Sequence, residues 1–275
     1  MDKVFRTTVL KMRRLTPTGS AITNAEQAFA EFSADRPRAH PERPWVSTNM
    51  VMSLDGAFAV DGRSGGLSSA ADKAVFAAQR AMSDVILAGA STVRQENYHR
   101  LKPAKYAAAA REESGQAPAP TLVIVSRSMQ LGDDVPLLSE TGPAPLVAHP
   151  AGVEFPTALA GLESLPIGPP ENTSGVDMAA LLQALADRGV SLVTCEGGPH
   201  LLGQLASEDL IDEYLLTLSP NLVGGDHTGL LGGLRAGHLQ VPGTDASDMA
   251  ADINQFRLHR SFQGEDHLML NYRRR

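Results

Sequence analysis

A chain of 275 residues with 43% apolar residues is long enough to bury a substantial core, as one large domain or two small ones. With 24 Lys and Arg against 31 Asp and Glu, a net charge of −7 and a pI near 5.6, it has no broad positive field to gather nucleic acid or an anionic membrane. Its one cysteine, Cys195, excludes an internal disulfide framework and any multi-thiolate metal site and fits a reducing compartment, so a cytoplasmic location is expected.

Residues 1–43 read as an N-terminal extension: a mixed segment runs into Pro37, Pro41 and Pro44, and only Asn24 to Phe32 has a short helical look. The first segment is broken by Asp2, Lys3, Arg6, Lys11, Arg13 and Arg14, so it lacks the apolar core of a secretory signal. No stretch approaches the roughly 20 uninterrupted apolar residues of a membrane span. From Trp45 the pattern changes. Trp45 to Met52, Asp84 to Ala88, Thr121 to Val125, Leu146 to His149 and Val190 to Thr194 are short apolar runs bounded by turn residues, and each predicts a buried strand.

Helices alternate with these strands. Ser69 and Asp72 make a capping box for a helix to Met82, and Asp177 caps one that carries Met178, Leu181, Leu182 and Leu185 on one face and stops at Gly189. Glu213 to Ser219, Phe256 to Phe262 and His267 to Tyr272 then follow as strands without intervening helices. The pattern predicts an α/β fold with a mixed, mostly parallel central sheet flanked by helices and finished by antiparallel strands. The stretches Lys102 to Pro120 and Pro150 to Gly175 read as connections that vary without harm to the core, and Arg273, Arg274 and Arg275 as a solvated tail.

Three loops at the C-terminal ends of predicted strands carry candidate chemistry. In the first, Asn49 to Gly56, a strand runs into a polar turn that holds Asp55 at a sheet edge; Asp-Gly is also a common turn signal. The second, Gly89 to Asn97, offers small and hydroxyl residues that suit a ligand crevice. In the third, Val193-Thr194-Cys195-Glu196-Gly197-Gly198-Pro199-His200-Leu201-Leu202 leaves a strand through two glycines and enters a helix, with proline at a favoured first position. Such a turn suits a diphosphate, because free backbone N–H groups and the helix dipole meet there; a Gly-Gly turn also serves simply as a tight connection. No GxGxxG follows a first strand, which disfavours a Rossmann dehydrogenase.

Taken together in this order, SLDG, GxxTV and EGGPxL, followed by Leu210-Ile211-Asp212-Glu213 and Leu218-Ser219-Pro220, resemble the reductase domain of the bifunctional riboflavin deaminase/reductase and its stand-alone relatives. The resemblance covers about residues 44–272 and makes residues 44–275 the expected reductase domain. It implies a dihydrofolate-reductase-like fold, NADPH as cofactor, a homodimer, and reduction of the ribosylamino sugar of a pyrimidine 5′-phosphate to a ribitylamino chain. Carried over position by position, it implies cofactor contacts at Val51, Gly66, Thr92, Glu96, Ser126 and Gly198 to Leu202, to which the residues' own chemistry adds Arg127 and Gly197. It implies substrate contacts at Ser64, Arg80, Leu101 and Glu196, with Asp55 at the head of the same crevice; Asn49 is added as a substrate contact, and Asp55 and Glu196 are the expected catalytic pair.

Each role has a physical rationale and an ordinary alternative. Arg80, assisted by Arg63, suits a substrate phosphate, since a guanidinium binds it bidentately; it is equally a surface charge on its helix. Ser126 and Arg127 suit an adenosine 2′-phosphate. Glu196 suits sugar hydroxyls or the reacting amine, or it orders the turn. Cys195 reads as buried packing. Within that resemblance, asparagine at position 49 matches the archaeal and fungal type, which reduces the diamino-pyrimidinone before deamination, whereas many bacterial members have lysine there and reduce the uracil, and both pyrimidines stand as candidate substrates. The usual Asp-Asp-Pro after GxxTV is altered to Gln95-Glu96-Asn97-Tyr98.

No zinc-deaminase motif is present, and His200, His227, His238, His259 and His267 lack metal-ligand spacing, so no metal is expected. Two rivals stand beside this reading: a paralogue that reduces dihydrofolate or another pteridine, and a non-catalytic NADPH-binding protein.

Overall fold

The computed structural model describes residues 24–132, 134–225 and 255–275. One nine-stranded sheet runs through it: β1 (Trp45–Met52), β2 (Val85–Gly89), β3 (Thr121–Val125), β4 (Leu146–Pro150), β5 (Glu163–Ile167), β6 (Leu192–Cys195), β7 (Glu213–Leu218), β8 (Phe256–Gly264) and β9 (His267–Arg274). The strand order is β5-β4-β3-β2-β6-β1-β7-β9-β8. Pairing is parallel from β5 through β7 and antiparallel at β7–β9 and β9–β8, so the mixed sheet expected from the sequence is the one present.

Helices α1 (Ala25–Ser33), α2 (Ala70–Met82), α3 (Ala90–Gln95), α4 (Ala108–Glu113), α5 (Met178–Ala186) and α6 (Pro199–Ser207) complete the layers. The capping chemistry read from the sequence operates as written. Ser69 Oγ accepts the Asp72 N–H, Asp177 accepts the Ala180 N–H, and Gly189 sits at φ +81°, where glycine carries no Cβ penalty.

Strand alternation sorts the core into two faces. Val85, Leu87, Val123, Val193 and Cys195 point at α5 and α6 and join Leu181, Leu182, Leu185, Leu202 and Leu205 in one cluster. Ile86, Ala88, Leu122, Ile124 and Val147 point to the other face and pack with Ala90 and Val93 of α3. Leu192, Leu215 and Met269 pack with α1 and α2 in a third cluster. The loop after each parallel strand opens at one edge of the sheet, as doubly covered parallel strands require.

Several expectations need correction. The stretch Pro150 to Gly175 contains β5, whose Leu165 and Ile167 are buried; Pro166 is tolerated because β5 is an edge strand. Lys102 to Pro120 is not free to vary, because α4 carries Arg111 into the interior, where its guanidinium donates to the carbonyls of Ala81, Ser83 and Ala117.

Arg273 and Arg274 are not a solvated tail. They belong to β9, and buried or nearby acceptors hold them: Arg273 pairs with Glu213 and Asp35, and Arg274 with Asp209. The apolar run Leu215 to Leu218 lies inside the sheet between β1 and β9, not at a free edge.

The segment before β1 is anchored from two sides. In α1, Ala28, Phe29 and Phe32 are buried, and the Phe32 ring lies 5.5 Å from that of Phe262. Arg43 and His40 then meet the fully buried Asp212 carboxylate, at 2.6 Å for the nearest arginine contact. Residues 1–23 lie outside the described residues. Because Phe32 is 3% exposed, Phe32→Ala leaves a core cavity and is expected to lower unfolding free energy by about 3–5 kcal/mol. Urea unfolding checks this; a change below about 0.5 kcal/mol would mean that α1 is an appendage.

Candidate active site

A cavity of about 860 Å³ opens on the face of the sheet that α2 covers, between that helix and the chain following α3. Its walls follow from strand and helix periodicity. On β1, Asn49 and Val51 alternate toward α2, while Val46 and Met50 join the cluster on the opposite face. On β6, Leu192 and Thr194 face α2, and the same alternation carries Glu196 into the cavity just beyond the last paired residue. On α2, Asp72, Phe76 and Arg80, spaced i, i+4 and i+8, all line it.

The centre of the cavity is a three-residue cluster. Arg80 donates from Nε and Nη2 to the two oxygens of Glu196, both at 2.6 Å, and Tyr98 Oη donates to Glu196 Oε2 at 2.5 Å. The Glu196 side chain is 2% exposed, so a bidentate partner and a phenol replace its water. Arg80 also lies 4.3 Å from the Phe76 ring centroid and 5.3 Å from that of Tyr98, with the aromatic faces stacked beside the guanidinium. Burial opposes the Arg80 charge, but the Glu196 carboxylate outweighs it and holds the guanidinium above its ordinary pKa. Burial, then Glu196, push the Tyr98 phenol well above its usual range, so it stays a proton donor to the carboxylate.

The turn after Glu196 is open because it is glycine. Gly197 takes φ +91°, and a Cβ at Gly198 would sit 2.8 Å from Thr92 Oγ1. Gly198 is the N-cap of α6 without a side-chain cap, and the helix has no acidic residue in its first turn. Among the described residues no side chain caps the first-turn N–H groups of this nine-residue helix, which start beside Thr92 at the cavity edge.

Of the residues singled out in the sequence, the structure brings Asn49, Val51, Ser64, Arg80, Thr92, Glu96, Leu101, Glu196, Gly198, Pro199 and His200 to one cavity. Glu96 accepts the Ser64 N–H at 2.7 Å and so clamps the 60s loop to the end of α3. Gly66 lies outside the lining against Val60, Leu201 and Leu202 are buried in the core, and Gly197 shapes the turn from behind. Ser126 accepts the Met129 N–H, and Arg127 is exposed at the end of β3, two strands from β6 on the same sheet edge. Arg63 is exposed, with its backbone bridged to Val60.

Asp55 also stands apart from the lining. Ser53 donates to it at 2.5 Å and the N–H groups of Val223 and Gly224 donate as well, which holds its carboxyl well below the usual carboxylate range. Its contacts order the 219–225 segment. Sequence reasoning passed over Tyr98, Phe76 and Asp72 as site residues. Phe76 and Asp72 share the i, i+4, i+8 stripe with Arg80, the one signal that pointed to them.

The described residues contain no group of three His, Cys, Asp or Glu positioned for a metal, and no helix long and apolar enough to cross a membrane. His227 and His238 lie outside the described residues.

The sequence model of the RibD C-terminal domain matches residues 44–252. The chain belongs to that family. It is similar to the 2,5-diamino-6-ribosylamino-4(3H)-pyrimidinone 5′-phosphate reductase of Archaeoglobus fulgidus, with 27% identity over 185 residues, 66% of this chain and 83% of the relative. The protein of the same name from Methanothermobacter thermautotrophicus is 26% identical over 230 residues, 84% of this chain and 98% of the relative. Among solved structures, a pyrimidine reductase-like protein from Corynebacterium diphtheriae matches with a TM-score of 0.67 at 21% identity, covering 92% of this chain and 99% of its own. The family fold is thus the dihydrofolate-reductase-like one expected from the sequence.

Beside this site Cys195 is fully buried, and burial pushes its thiol up to about 12. A thiol-disulfide reagent at pH 8 is expected to leave the native protein unlabelled and to modify one thiol per chain after denaturation. Fast labelling of folded protein would contradict this burial.

Proposed function

We propose that the chain is an NADPH-dependent reductase that converts the ribosylamino group of a pyrimidine 5′-phosphate into a ribitylamino chain, with the diamino-pyrimidinone for which its archaeal relatives are named as substrate. The observation that carries the reading is the joining, in one cavity, of an uncapped glycine-rich helix start with the buried Arg80–Glu196–Tyr98 cluster.

The residues fit such a cofactor. Gly198 leaves free the space that a Cβ would take against Thr92, and the N–H groups at the start of α6, without a side-chain cap among the described residues, suit a diphosphate. Val51, Thr92 and His200 would line its path, and Ser126 with the exposed Arg127 would meet the adenosine 2′-phosphate further along the sheet edge. The chemistry NADPH supplies when bound is a hydride for C1′ of the open-chain imine.

The chain's own residues supply orientation and charge. Glu196 fixes Arg80 through two of its donors, and Arg80 Nη1 is left to take a phosphate oxygen of the substrate. Tyr98 keeps Glu196 in place while the carboxylate's one remaining acceptor site, on Oε1, accepts from a sugar hydroxyl or from the reacting amine. Ser64, set by Glu96, and Leu101 close the walls around the sugar. Asp55 acts one step removed, by ordering residues 219–225. The homodimer implied by the resemblance belongs to this proposal; of the two sheet edges, β8 exposes Leu258.

NADPH oxidation followed by absorbance, with the diamino-pyrimidinone phosphate, its uracil counterpart and dihydrofolate offered separately, is expected to show turnover with a pyrimidine. Turnover with dihydrofolate alone, or NADPH binding with no turnover, favours one of the rivals. Gly198→Asp, which puts bulk and negative charge where the diphosphate is placed, is expected to weaken NADPH binding at least ~100-fold by calorimetry. Arg127→Ala is expected to weaken NADPH about 10-fold and leave NADH unchanged; equal losses for both would remove Arg127 from the 2′-phosphate site.

A further inference from the structure

The cavity holds a buried carboxylate for which neither the cofactor nor the phosphate has a use. Asp72 lines it, is 6% exposed, and has no cationic partner among the described residues. Its two side-chain bonds come from neutral hydroxyls, Ser68 Oγ to Oδ2 and Thr217 Oγ1 to Oδ1 at 2.6 Å. Each oxygen of a carboxylate accepts at more than one lone pair, so the group is oriented and still has one acceptor site per oxygen. A carboxylate taken out of water with only two neutral donors is under-satisfied, and a pair of N–H donors on a ligand would complete it.

A second group points the same way. Asn49 also lines the cavity, is 7% exposed, and its Nδ2 has no hydrogen-bond partner among the described residues. Val51 pairs with Thr217 and Asn49 with Leu215 across the parallel β1–β7 ladder, so Asn49 and the Thr217 hydroxyl that holds Asp72 lie on one face, two residues apart in register. An acceptor pair and an unspent donor are thus presented together.

We infer that Asp72 reads the pyrimidine ring and selects a 2-amino-4(3H)-pyrimidinone over its deaminated uracil counterpart. The 2-amino group and N3–H of the former are adjacent donors that match the two carboxylate oxygens, and the 4-oxo group beside them accepts from Asn49. In the uracil, a 2-oxo group replaces the amine and sets an acceptor against a carboxylate oxygen. Dimensions agree: eight residues of helix separate Asp72 from Arg80, a rise of about 12 Å, with the Phe76 ring between. The base lies at the Asp72 end and the phosphate at the Arg80 end. This rests on the pyrimidine reductase reading above and adds the residue that sets its substrate.

The test compares kcat/KM for the two pyrimidine phosphates under matched NADPH. Wild-type protein is expected to prefer the diamino compound by at least ~100-fold, as sites that hydrogen-bond a substrate N–H reject analogues without it. In Asp72→Asn, which swaps one acceptor for a donor, that ratio is expected to fall at least ~10-fold, mainly through KM for the diamino compound. Thr217→Val keeps the carboxylate, loosens its orientation and is expected to lower the ratio by a smaller factor; with the wild-type ratio it decides the matter even if Asp72→Asn does not fold. Equal use of both pyrimidines by wild type, or a variant that slows both by one factor, overturns the role of Asp72 and leaves the reductase standing. Reduction of neither pyrimidine by NADPH-binding wild type overturns the reductase reading and this inference with it.

Discussion

Everything at the site hangs on how α2 meets the sheet, and that contact is partly polar where a helix-sheet contact is ordinarily apolar. Gln79 Oε1 accepts from Ser47 Oγ and Thr194 Oγ1, Thr217 donates to Asp72, and Arg80 grips Glu196. Ser83 adds a 2.6 Å bond to Thr194. Directional bonds fix the height and rotation of a helix more tightly than methyl contacts do, because each loses its strength outside a narrow geometry. The apolar residues of α2, Val75, Ala78, Ala81 and Met82, meanwhile pack toward α1 and the rest of the third cluster. The helix is thereby held against the sheet yet leaves open the cavity beside Phe76 and Arg80.

The Arg80–Glu196 pair shows how cost and use combine. Burying a carboxylate is unfavourable unless it is paired and hydrogen-bonded, and here a bidentate guanidinium, a phenol and two aromatic faces supply that. The pair brings α2, β6 and the chain after α3 to one point. An arginine free to wander would meet a phosphate at greater entropic cost than one already locked by Glu196. The same economy explains Asp55: two backbone N–H groups and a serine keep its carboxylate working on the 219–225 segment.

The readable part of the fold was the part ruled by short-range periodicity. β1 and β3 begin and end at the predicted residues, and Ser69 and Asp177 cap as predicted, because those features need only local backbone chemistry. β5 escaped notice because an edge strand of five residues with a proline in it has too little alternation to stand out from a loop. The tail arginines were misread for a different reason: their acceptors, Asp35, Glu213 and Asp209, are far away in sequence, and charge alone does not say which carboxylates the chain will bring to it.

From the sequence by itself came the mixed sheet, the family resemblance and the residues of the glycine-rich turn, since strand alternation, capping and motif spacing are all written along the chain. Which of those residues face one another was decided only by tertiary structure. Asp72, Phe76 and Arg80 form a stripe on any helix, but only the register of β1, β6 and β7 against α2 sets Glu196 on Arg80 and Thr217 on Asp72. Burial then assigns their work, because an exposed carboxylate is satisfied by water, whereas one shut into a cavity must find its donors in the protein or in what binds there.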